Sequence, residues 1–288
     1  MKAIPDHNGK TLLSVLAHPD DETFGMGGTL ALYARRGVNV HLVCATRGEL
    51  GDIDPEYKER IKSASCLRTQ ELRCAADILG IHKLHILNYR DSGMPGSEAN
   101  RHPKALAAQP VDKVAGEVAH LIRQVKPDVV ITFDPIGGYR HPDHIAIQQA
   151  TVKAFELAGD ASFTDSSDLP PFQPKKLYFH TINRSFLRIV VWVLRLIGQN
   201  PRQFGRNKDV DLVAIAEVDF PTHVKVNYKS VKDIKAQAVR CHASQGGADM
   251  DKGFRGLVTR LFGGDDDIFM QAFPELENGL KIRRDLFE

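Results

Sequence analysis

Short apolar segments alternate with longer segments of helical periodicity along the first two thirds of the chain. Several of the short segments are continuously apolar, as expected of strands that are covered on both faces. The alternation is typical of βαβ units around a parallel sheet. We therefore predict a Rossmann-like, doubly wound α/β fold with three layers and a mostly parallel sheet. The predicted strands are 11–17, 38–45, 83–88, 128–133 and 176–182, and the predicted helices are about 25–36, 56–79, 111–125 and 144–158.

The pattern becomes less regular after residue 182. The apolar run 212–219 predicts another strand, and 221–245 predicts a long helix. These elements are too few for a second large core, so we expect one domain with a small C-terminal extension. The predicted organisation is a single domain over 1–288, with a Rossmann-like core at 1–182 and C-terminal elements at 183–288 that close its crevice.

Composition and charge narrow the class of protein. The 288 residues are 42% hydrophobic and 26% charged, which is enough apolar material for a sizeable core. The formal net charge is only +2, so the chain lacks the basic footprint of a nucleic-acid-binding protein. No apolar run approaches the roughly 18 residues that a membrane span requires. We expect a globular protein with no nucleic-acid partner and no transmembrane span.

The cysteines predict a reducing compartment. The four cysteines show no CxxC spacing and no paired framework, and a chain of this size does not need disulfides to hold its core. Packing in the core is the expected role of Cys44, Cys66 and Cys74. The predicted localisation is the cytoplasm.

Two short segments concentrate groups that can perform chemistry. Each follows a predicted strand, and the strand order 3-2-1-4-5 of many doubly wound sheets places the first strand beside the fourth. Both segments would then face one crevice at the carboxyl ends of the strands. They are AHPDDE at 17–22 and YRHPDH at 139–144.

The residues of these segments suit a metal site. A catalytic metal typically takes three His or carboxylate ligands and leaves one position open. We predict His18, Asp21 and His144 as those ligands. Asp20 would then take a proton from water, and His141 would stabilise negative charge or protonate a leaving amine.

Two further residues could support the site. Asp143, between two histidines, would fix the ring of one of them. Glu22 either supports the site or only complements the helix dipole. A single HPD segment is also ordinary turn chemistry, but two of them at one predicted crevice favour a metal.

Together these segments resemble the PIG-L/LmbE-like family of zinc-dependent N-acetylglucosaminyl deacetylases, which includes mycothiol-type and bacillithiol-type deacetylases and amidases. The resemblance spans nearly the whole chain, and AHPDDE followed by HPDH is its most specific part. The motifs that carry it are AHPDDE at 17–22, GMGGTLALYARRG at 25–37, ATRGELG at 45–51, RTQEL at 68–72, RDSGM at 90–94, HPDH at 141–144 and HASQ at 242–245.

The resemblance implies the same ligands and the same base, Asp20, and it implies that Asp143 orients His141. It also implies that Tyr139 helps to polarise the carbonyl. The substrate-binding positions that it implies are Arg68, Asp91 and Glu49.

Structural alternatives exist for some of these residues. Arg68 could instead form a surface pair with Glu71. Asp91 could form only an Asx turn. Ser244 and Gln245 either orient the pocket or simply end a helix.

The predicted reaction is hydrolysis of an acetamido group on an amino-sugar small molecule, with zinc as the cofactor. Ferrous iron favours a similar set of two histidines and one carboxylate, so it stays an alternative. A second hypothesis is an amidase of a sugar-thiol conjugate with a larger acyl group. A third is a non-catalytic nucleotide-binding Rossmann module, although Gly25, Gly27 and Gly28 do not fit its glycine pattern.

An apolar segment with basic residues, 186–197, is the least family-like part of the chain. Arg188 and Arg195 are seven apart and so lie on roughly one helix face. The segment would pack against the sheet or a subunit, or it would make an interfacial membrane contact. We expect a homo-oligomer. Six basic residues precede the next acid, Asp209, and they are Arg184, Arg188, Arg195, Arg202, Arg206 and Lys208.

Overall fold

The structure is a computed structural model that describes residues 7–51, 53, 57, 63–164, 167–204, 208, 210–249, 264–276 and 281–288. Within these residues seven strands form one sheet, in the order β3-β2-β1-β4-β5-β7-β6. The first five strands along the chain pair in parallel, whereas β7 runs antiparallel to both β5 and β6. The prediction of a mostly parallel sheet with β1 beside β4 is therefore confirmed. The strands are β1 Thr11–Leu16, β2 Asn39–Thr46, β3 Lys83–Tyr89, β4 Val129–Phe133, β5 Lys176–Thr181, β6 Val224–Asn227 and β7 Asp266–Phe273.

Helices connect the strands. Short 3₁₀ turns occur between several elements, and a kinked helical turn, Gly137–Arg140, precedes the second HPD segment. The α-helices are α1 Asp21–Phe24, α2 Gly27–Arg35, α3 Ala64–Leu79, α4 Val111–Val125, α5 Pro142–Gly159, α6 Arg184–Leu196, α7 Leu212–Ala216 and α8 Lys232–Cys241.

Local sequence explains where α3 begins and ends. The hydroxyl of Ser63 accepts a hydrogen bond from the Cys66 amide, which satisfies one of the free amides of the first turn. At the other end Gly80 adopts φ 76°, a left-handed conformation that glycine enters at little cost. The predicted helix 56–79 is confirmed from Ala64 to Leu79, and its residues 56 and 58–62 lie outside the described part.

Burial follows from the layers of the fold. All five residues of β4 are buried, so side chains on both faces of the sheet are covered. One group of helices, α2, α3 and α8, packs together, and α4 packs against α5. The buried apolar residues of these strands and helices form one continuous core.

Two predictions in the C-terminal third are wrong. The run 212–219 contains a helix, Leu212–Ala216, because the Asp211 carboxylate caps it by accepting from the amides of Val213 and Ala214. A short apolar run alone does not separate strand from helix. The predicted helix 221–245 contains β6 and then α8, because Val224 and Val226 alternate with outward residues and pair with β7.

The antiparallel strand β7 has no counterpart among the predicted elements. It lies between β5 and β6, so residues after 182 extend the same sheet. Tyr33 shows how closely the C-terminus joins the core, since its hydroxyl donates to Asp285 and accepts from the Leu286 amide. Closure of the crevice by residues 183–288 stays a prediction.

The cysteine prediction is partly wrong. Cys74 on α3 and Cys241 on α8, which are 167 positions apart in sequence, form a disulfide. Cys66 is free and exposed rather than packed in the core, whereas Cys44 is free and buried as predicted. The tertiary packing of α3 against α8 brings the bonded pair together, and nothing in their spacing predicts it.

None of the helices among the described residues combines the length and the apolar content that a bilayer crossing requires.

Candidate active site

The candidate site lies at the carboxyl ends of the parallel strands. His18 follows β1, Glu49 follows β2, Asp91 follows β3 and His141 follows β4. Since β1 pairs directly with both β2 and β4, the four connecting loops meet along one edge of the sheet. The fold therefore assembles residues that are up to 126 positions apart in sequence.

Three donor groups converge at the centre of this edge. The Nδ1 atom of His18 lies 3.2 Å from Nε2 of His144. Asp21 completes the group, with one carboxylate oxygen 3.2 Å from Nε2 of His144 and the other 3.6 Å from Nδ1 of His18. Four ligands at about 2.0–2.2 Å from a tetrahedral ion lie roughly 3.3–3.6 Å from one another. His18 and His144 therefore lie at the spacing of two ligands of one ion, and Asp21 borders them with one carboxylate oxygen toward each.

Packing and burial hold the ring of His144. Its ring stacks on Phe133, with the centroids 3.9 Å apart and the planes within 12°. Its Nδ1 is buried, and no hydrogen-bond partner for this atom occurs among the described residues. Packing thus fixes the ring while Nε2 points toward His18 and Asp21.

A second, overlapping set of possible ligands lies on the other side of the His18 ring. It consists of one donor atom each from His18, Asp91, His141 and Asp143, all within 4.8 Å of one another. The carboxylate oxygens of Asp91 already accept from the amides of Leu50 and Gly93. Oδ2 of Asp21 likewise accepts from the His18 amide at 2.7 Å, which leaves its Oδ1 toward His144. The three buried histidines His18, His141 and His144 form a further possible set.

The Asp143 carboxylate contacts His18 rather than His141. Its Oδ2 lies 3.0 Å from Nε2 of His18 and also accepts from the Ser92 amide at 2.9 Å. The Ser92 hydroxyl donates to the other oxygen. With Nε2 protonated, His18 presents the free lone pair of Nδ1 toward Asp21 and His144, an arrangement that metal-binding histidines commonly show. The expected carboxylate contact with His141 is absent from the described hydrogen bonds.

His141 is held by a backbone contact instead. The Asp143 amide donates to Nδ1 of His141 at 3.1 Å, so the proton of the neutral ring lies on Nε2. Burial, reinforced by the nearby rings of His18 and His144, lowers the pKa of His141 to about 2. The residue is therefore neutral and can donate a hydrogen bond through Nε2.

Asp20 adopts an unusual backbone conformation. Its φ is 116°, and its side chain accepts from the Arg68 guanidinium at 3.0 Å. Burial raises the pKa of Asp20 to about 6, although the charge of Arg68 opposes this. A carboxylate with a pKa just below neutrality suits a general base.

A buried ion pair lies behind Asp20. Oε1 of Glu22 is 2.6 Å from Nε2 of His242, and the exposed fractions of the two residues are 1% and 0%. The other oxygen of Glu22 accepts from the Asp20 amide at 3.0 Å. Glu22 thus contacts the backbone of the candidate base. Its role is therefore more than to complement the helix dipole.

Tyr139 forms a wall of the site. Its ring meets those of His144 and His141 edge-on, with centroids 4.9 and 5.8 Å apart. Burial, with the charges of Asp21 and Asp20, raises the pKa of Tyr139 well above its ordinary value. The hydroxyl is therefore protonated and can act as a donor.

The predicted substrate-binding residues lie near the same edge, but each has contacts within the protein. Arg68 is buried, and it donates to the carbonyls of Gly48 and Pro19 as well as to Asp20, so the alternative of a surface pair with Glu71 is wrong. Asp91 forms the alternative Asx turn with Gly93 and also lies 3.7 Å from Nε2 of His18.

Comparisons with known proteins agree with this geometry. A family model described as GlcNAc-PI de-N-acetylase, PIG-L, matches residues 13–155. A Catenulispora acidiphila protein, "1D-myo-inositol 2-acetamido-2-deoxy-alpha-D-glucopyranoside deacetylase 2", is 37% identical over 82% of this chain and 80% of its own length. A Streptomyces avermitilis protein, "1D-myo-inositol 2-acetamido-2-deoxy-alpha-D-glucopyranoside deacetylase", is 34% identical over 100% of this chain and 99% of its own length.

The chain belongs to the PIG-L family.

Among solved structures, the fold of this PIG-L family member is similar to that of N,N'-diacetylchitobiose deacetylase from Pyrococcus horikoshii. The TM-score is 0.64 at 21% identity, over 94% of this chain and 87% of that one. At this identity the likeness concerns the fold alone. The predicted resemblance and the α/β fold class are confirmed, and so is membership in a family of deacetylating enzymes.

Several residues that shape this PIG-L family site were not predicted. Ser92 contacts the Asp143 carboxylate, and the Asn100 amide donates to the Ser92 carbonyl. Asp134, fully buried, accepts from the amides of Ile136 and Gly138 and so shapes the turn that leads to His141. An aspartate followed by Pro and two glycines after a strand was the available signal for that turn.

The HASQ segment contributes by long-range contacts. The amide and hydroxyl of Ser244 donate to the Glu71 carboxylate at 2.8 and 2.7 Å. Together with the His242 contact to Glu22, this places the end of α8 against both α1 and α3. The segment therefore does more than end a helix.

Proposed function

We propose that this protein is a zinc-dependent hydrolase that removes the acetyl group from an N-acetylglucosamine-containing small molecule, with an inositol-linked amino sugar as the favoured substrate. The convergence of His18, Asp21 and His144 beside the Asp20 carboxylate is the observation that carries the proposal. The names of the relatives support the substrate. The amide hydrolysis itself follows from a base placed next to a metal-binding group.

His18, Asp21 and His144 would hold the ion. When bound, it would acidify a water molecule and stabilise negative charge on the acyl oxygen. Two neutral imidazoles and one carboxylate leave a divalent site with a net positive charge, which favours an anionic transition state. Zinc suits this donor set, and ferrous iron is the alternative that metal analysis would detect.

Asp20 would take the proton of the attacking water. Arg68 holds one side of its carboxylate, and the Glu22 contact to its amide fixes the backbone. A pKa of about 6 leaves Asp20 mostly ionised at neutral pH yet still basic enough to accept a proton. The proton would then be available for the leaving nitrogen.

His141 and Tyr139 would stabilise the tetrahedral state. Because Nδ1 of His141 accepts from the Asp143 amide, its Nε2–H is the group left to donate to the acyl oxygen. The protonated hydroxyl of Tyr139 would add a second donor from the same wall. As the C–N bond breaks, the proton held by Asp20 would reach the nitrogen directly or through His141, releasing acetate and a free amine.

Sugar recognition by Arg68, Asp91 and Glu49 is part of the proposal. Glu49 accepts from the Asp91 amide at 3.1 Å, so the loops after β2 and β3 are linked beside His18. This link would let the two loops form one wall of a sugar pocket. The cytoplasm and a homo-oligomeric state are further parts of the proposal. They rest on sequence alone, and the Cys74–Cys241 disulfide does not support the reducing compartment that the cysteines predicted.

An acyl-group assay tests the function. We expect the zinc-loaded protein to release equal amounts of acetate and free amine from the inositol-linked N-acetylglucosamine, and His144→Ala to retain little metal and little activity. Greater activity on a cysteinyl conjugate than on the acetylated sugar would favour the amidase hypothesis. A metal-loaded protein that hydrolyses none of these amides would contradict the proposal, and purified wild type without bound metal would favour the nucleotide-binding module.

A further inference from the structure

The helix α6 has apolar side chains on two sides. One side is buried: Leu187, Val191 and Leu194 pack against residues of α7. The other side carries Ile189 and Trp192, which face solvent. We call this exposed side, together with the residues that follow it at the end of the helix, the α6 patch, which consists of Ile189, Trp192, Leu196 and Ile197.

Exposure in the α6 patch is unusually concentrated. Trp192 is 62% exposed and Leu196 is 65% exposed, although both are large apolar side chains. The described part of the chain has eight exposed large apolar residues, and four of them lie within the nine positions 189–197. Large exposed apolar groups that cluster in this way mark interaction surfaces more often than isolated ones do.

Arginines flank the α6 patch. At 100° per residue, Arg188 and Arg195 project from the same flank of the helix, on either side of Trp192 along its axis. Both arginines are exposed. Arg188 forms an exposed pair with Asp219 at 3.9 Å, which contributes little to stability. The sequence contains no acidic residue between Asp168 and Asp209. The helix around Trp192 therefore carries apolar and cationic side chains and no acidic one.

The helix that carries the patch contacts the active site through its buried side and its first residue. Tyr139 and Ile182 pack against the cluster formed by α6 and α7. Tyr139 in turn contacts the rings of His141 and His144. In addition, Arg184 at the start of α6 donates to the buried carboxylate of Asp134, in the turn before His141. The helix that carries the patch thus lies at the same edge of the sheet as the site.

We propose that the α6 patch docks the enzyme on the surface of an anionic lipid bilayer. Trp and aliphatic side chains would enter the interfacial region, where an amphipathic ring is favoured, and the arginines would lie level with the lipid phosphates. A helix of this length lies in the plane of the interface and does not cross it. Docking would hold the carboxyl edge of the sheet, and with it the active site, beside the membrane surface.

The flanking charges favour lipid over a second copy of the chain. A two-fold symmetric contact would bring the same patch from both copies together. It would then place four exposed arginines, Arg188 and Arg195 from each copy, in one contact. An anionic surface instead neutralises them, and it needs no complementary groove around the protruding Trp192.

The chain supplies its own probe, because Trp192 is its only tryptophan. Full-length protein is mixed with vesicles of phosphatidylcholine alone or of phosphatidylcholine with phosphatidylglycerol, at low and high salt. We expect co-sedimentation with the anionic vesicles at low salt only, with a blue shift of Trp192 emission and quenching by brominated lipid. No sedimentation with anionic vesicles, or binding without a change in Trp192 emission, would overturn the proposal.

Variants separate the apolar and ionic contributions. We expect Leu196→Ser to weaken vesicle binding about tenfold by removing apolar contact, and Arg195→Gln about fivefold by removing one charge near the phosphates. Val111→Ser alters an exposed apolar residue at the start of α4 and should leave binding unchanged. Equal loss in all three variants would contradict the assignment to α6.

Two further measurements complete the test. Sedimentation velocity detects binding of a second copy of the chain to the α6 patch. A dimer that Leu196→Ser dissociates would overturn the lipid proposal. Hydrolysis of a water-soluble acetylated sugar should be unchanged in Leu196→Ser. Because binding is measured without turnover, a failure of the proposed reaction leaves this test intact.

Discussion

Glu22 and His242 are 220 positions apart in sequence, yet their side chains meet at 2.6 Å in the interior. Burial by itself would lower the pKa of His242, but the Glu22 carboxylate outweighs burial and raises it. The two groups therefore form an ion pair. Because Glu22 also accepts from the Asp20 amide, the pair links α8 to the backbone of the candidate base.

Removing His242 should destabilise the fold. His242→Ala leaves the Glu22 carboxylate buried without a partner, and breaking a buried pair from one side costs about 3–5 kcal/mol. Urea denaturation measures this loss in the free energy of unfolding. The double variant Glu22→Gln/His242→Gln removes both charges and should lose less. A single and a double variant of equal stability would contradict a paired charge.

Replacing Asp143 should weaken metal binding. Asp143→Asn removes the carboxylate that orients His18, and loss of such an outer contact commonly costs about 10-fold to 100-fold in metal affinity. Competition with a zinc chelator measures the dissociation constant. Ser92→Ala, which removes one donor to the same carboxylate, should have a smaller effect. An unchanged zinc affinity with a lower kcat would instead support the prediction that Asp143 orients His141.

Loss of the disulfide should lower stability. Cys74 and Cys241 enclose a long loop, and cross-links of this kind typically contribute about 2–4 kcal/mol to the free energy of unfolding. We expect Cys74→Ser to be less stable in urea and insensitive to reductant. The matched control is Cys66→Ser, which alters an exposed free thiol and should behave as wild type. Four alkylatable thiols after denaturation without reductant would show that the bond does not form.

His180 should make the fold sensitive to mild acid. Burial lowers its pKa to about 4, whereas the unfolded chain has a histidine pKa near 6.5. Between these values the unfolded state binds a proton that the folded state does not, so stability falls as the pH falls through this window. In this window His180 contributes up to about 1.4 kcal/mol per pH unit to the fall in the free energy of unfolding, and His180→Gln should remove that contribution.

Urea unfolding of both proteins at several pH values checks this prediction. Above pH 7 the stability difference between wild type and His180→Gln should be constant, because neither state then binds the proton at this position. Parallel curves across the acidic window would show that His180 does not contribute.

Local sequence was sufficient for the core of the fold and for the two reactive segments. The strands β1, β2, β4 and β5 carry apolar runs that are mostly buried, whereas the edge strand β3 is only partly buried. Gly80 ends a helix because it accepts a left-handed conformation. His18 and His141 could be placed at one edge because parallel strands share their carboxyl ends. The same local information failed at 212–219, where one capping aspartate converts an apolar run into a helix.

Sequence alone thus determined which side chains are available for catalysis, because residue type and position after a strand are local properties. Only the tertiary structure decided their partners. Asp143 contacts His18 rather than His141, Arg68 contacts Asp20 rather than Glu71, and Cys74 is bonded to Cys241. Each of these contacts joins distant elements, and its geometry depends on how helices and loops pack, which no spacing along the chain specifies.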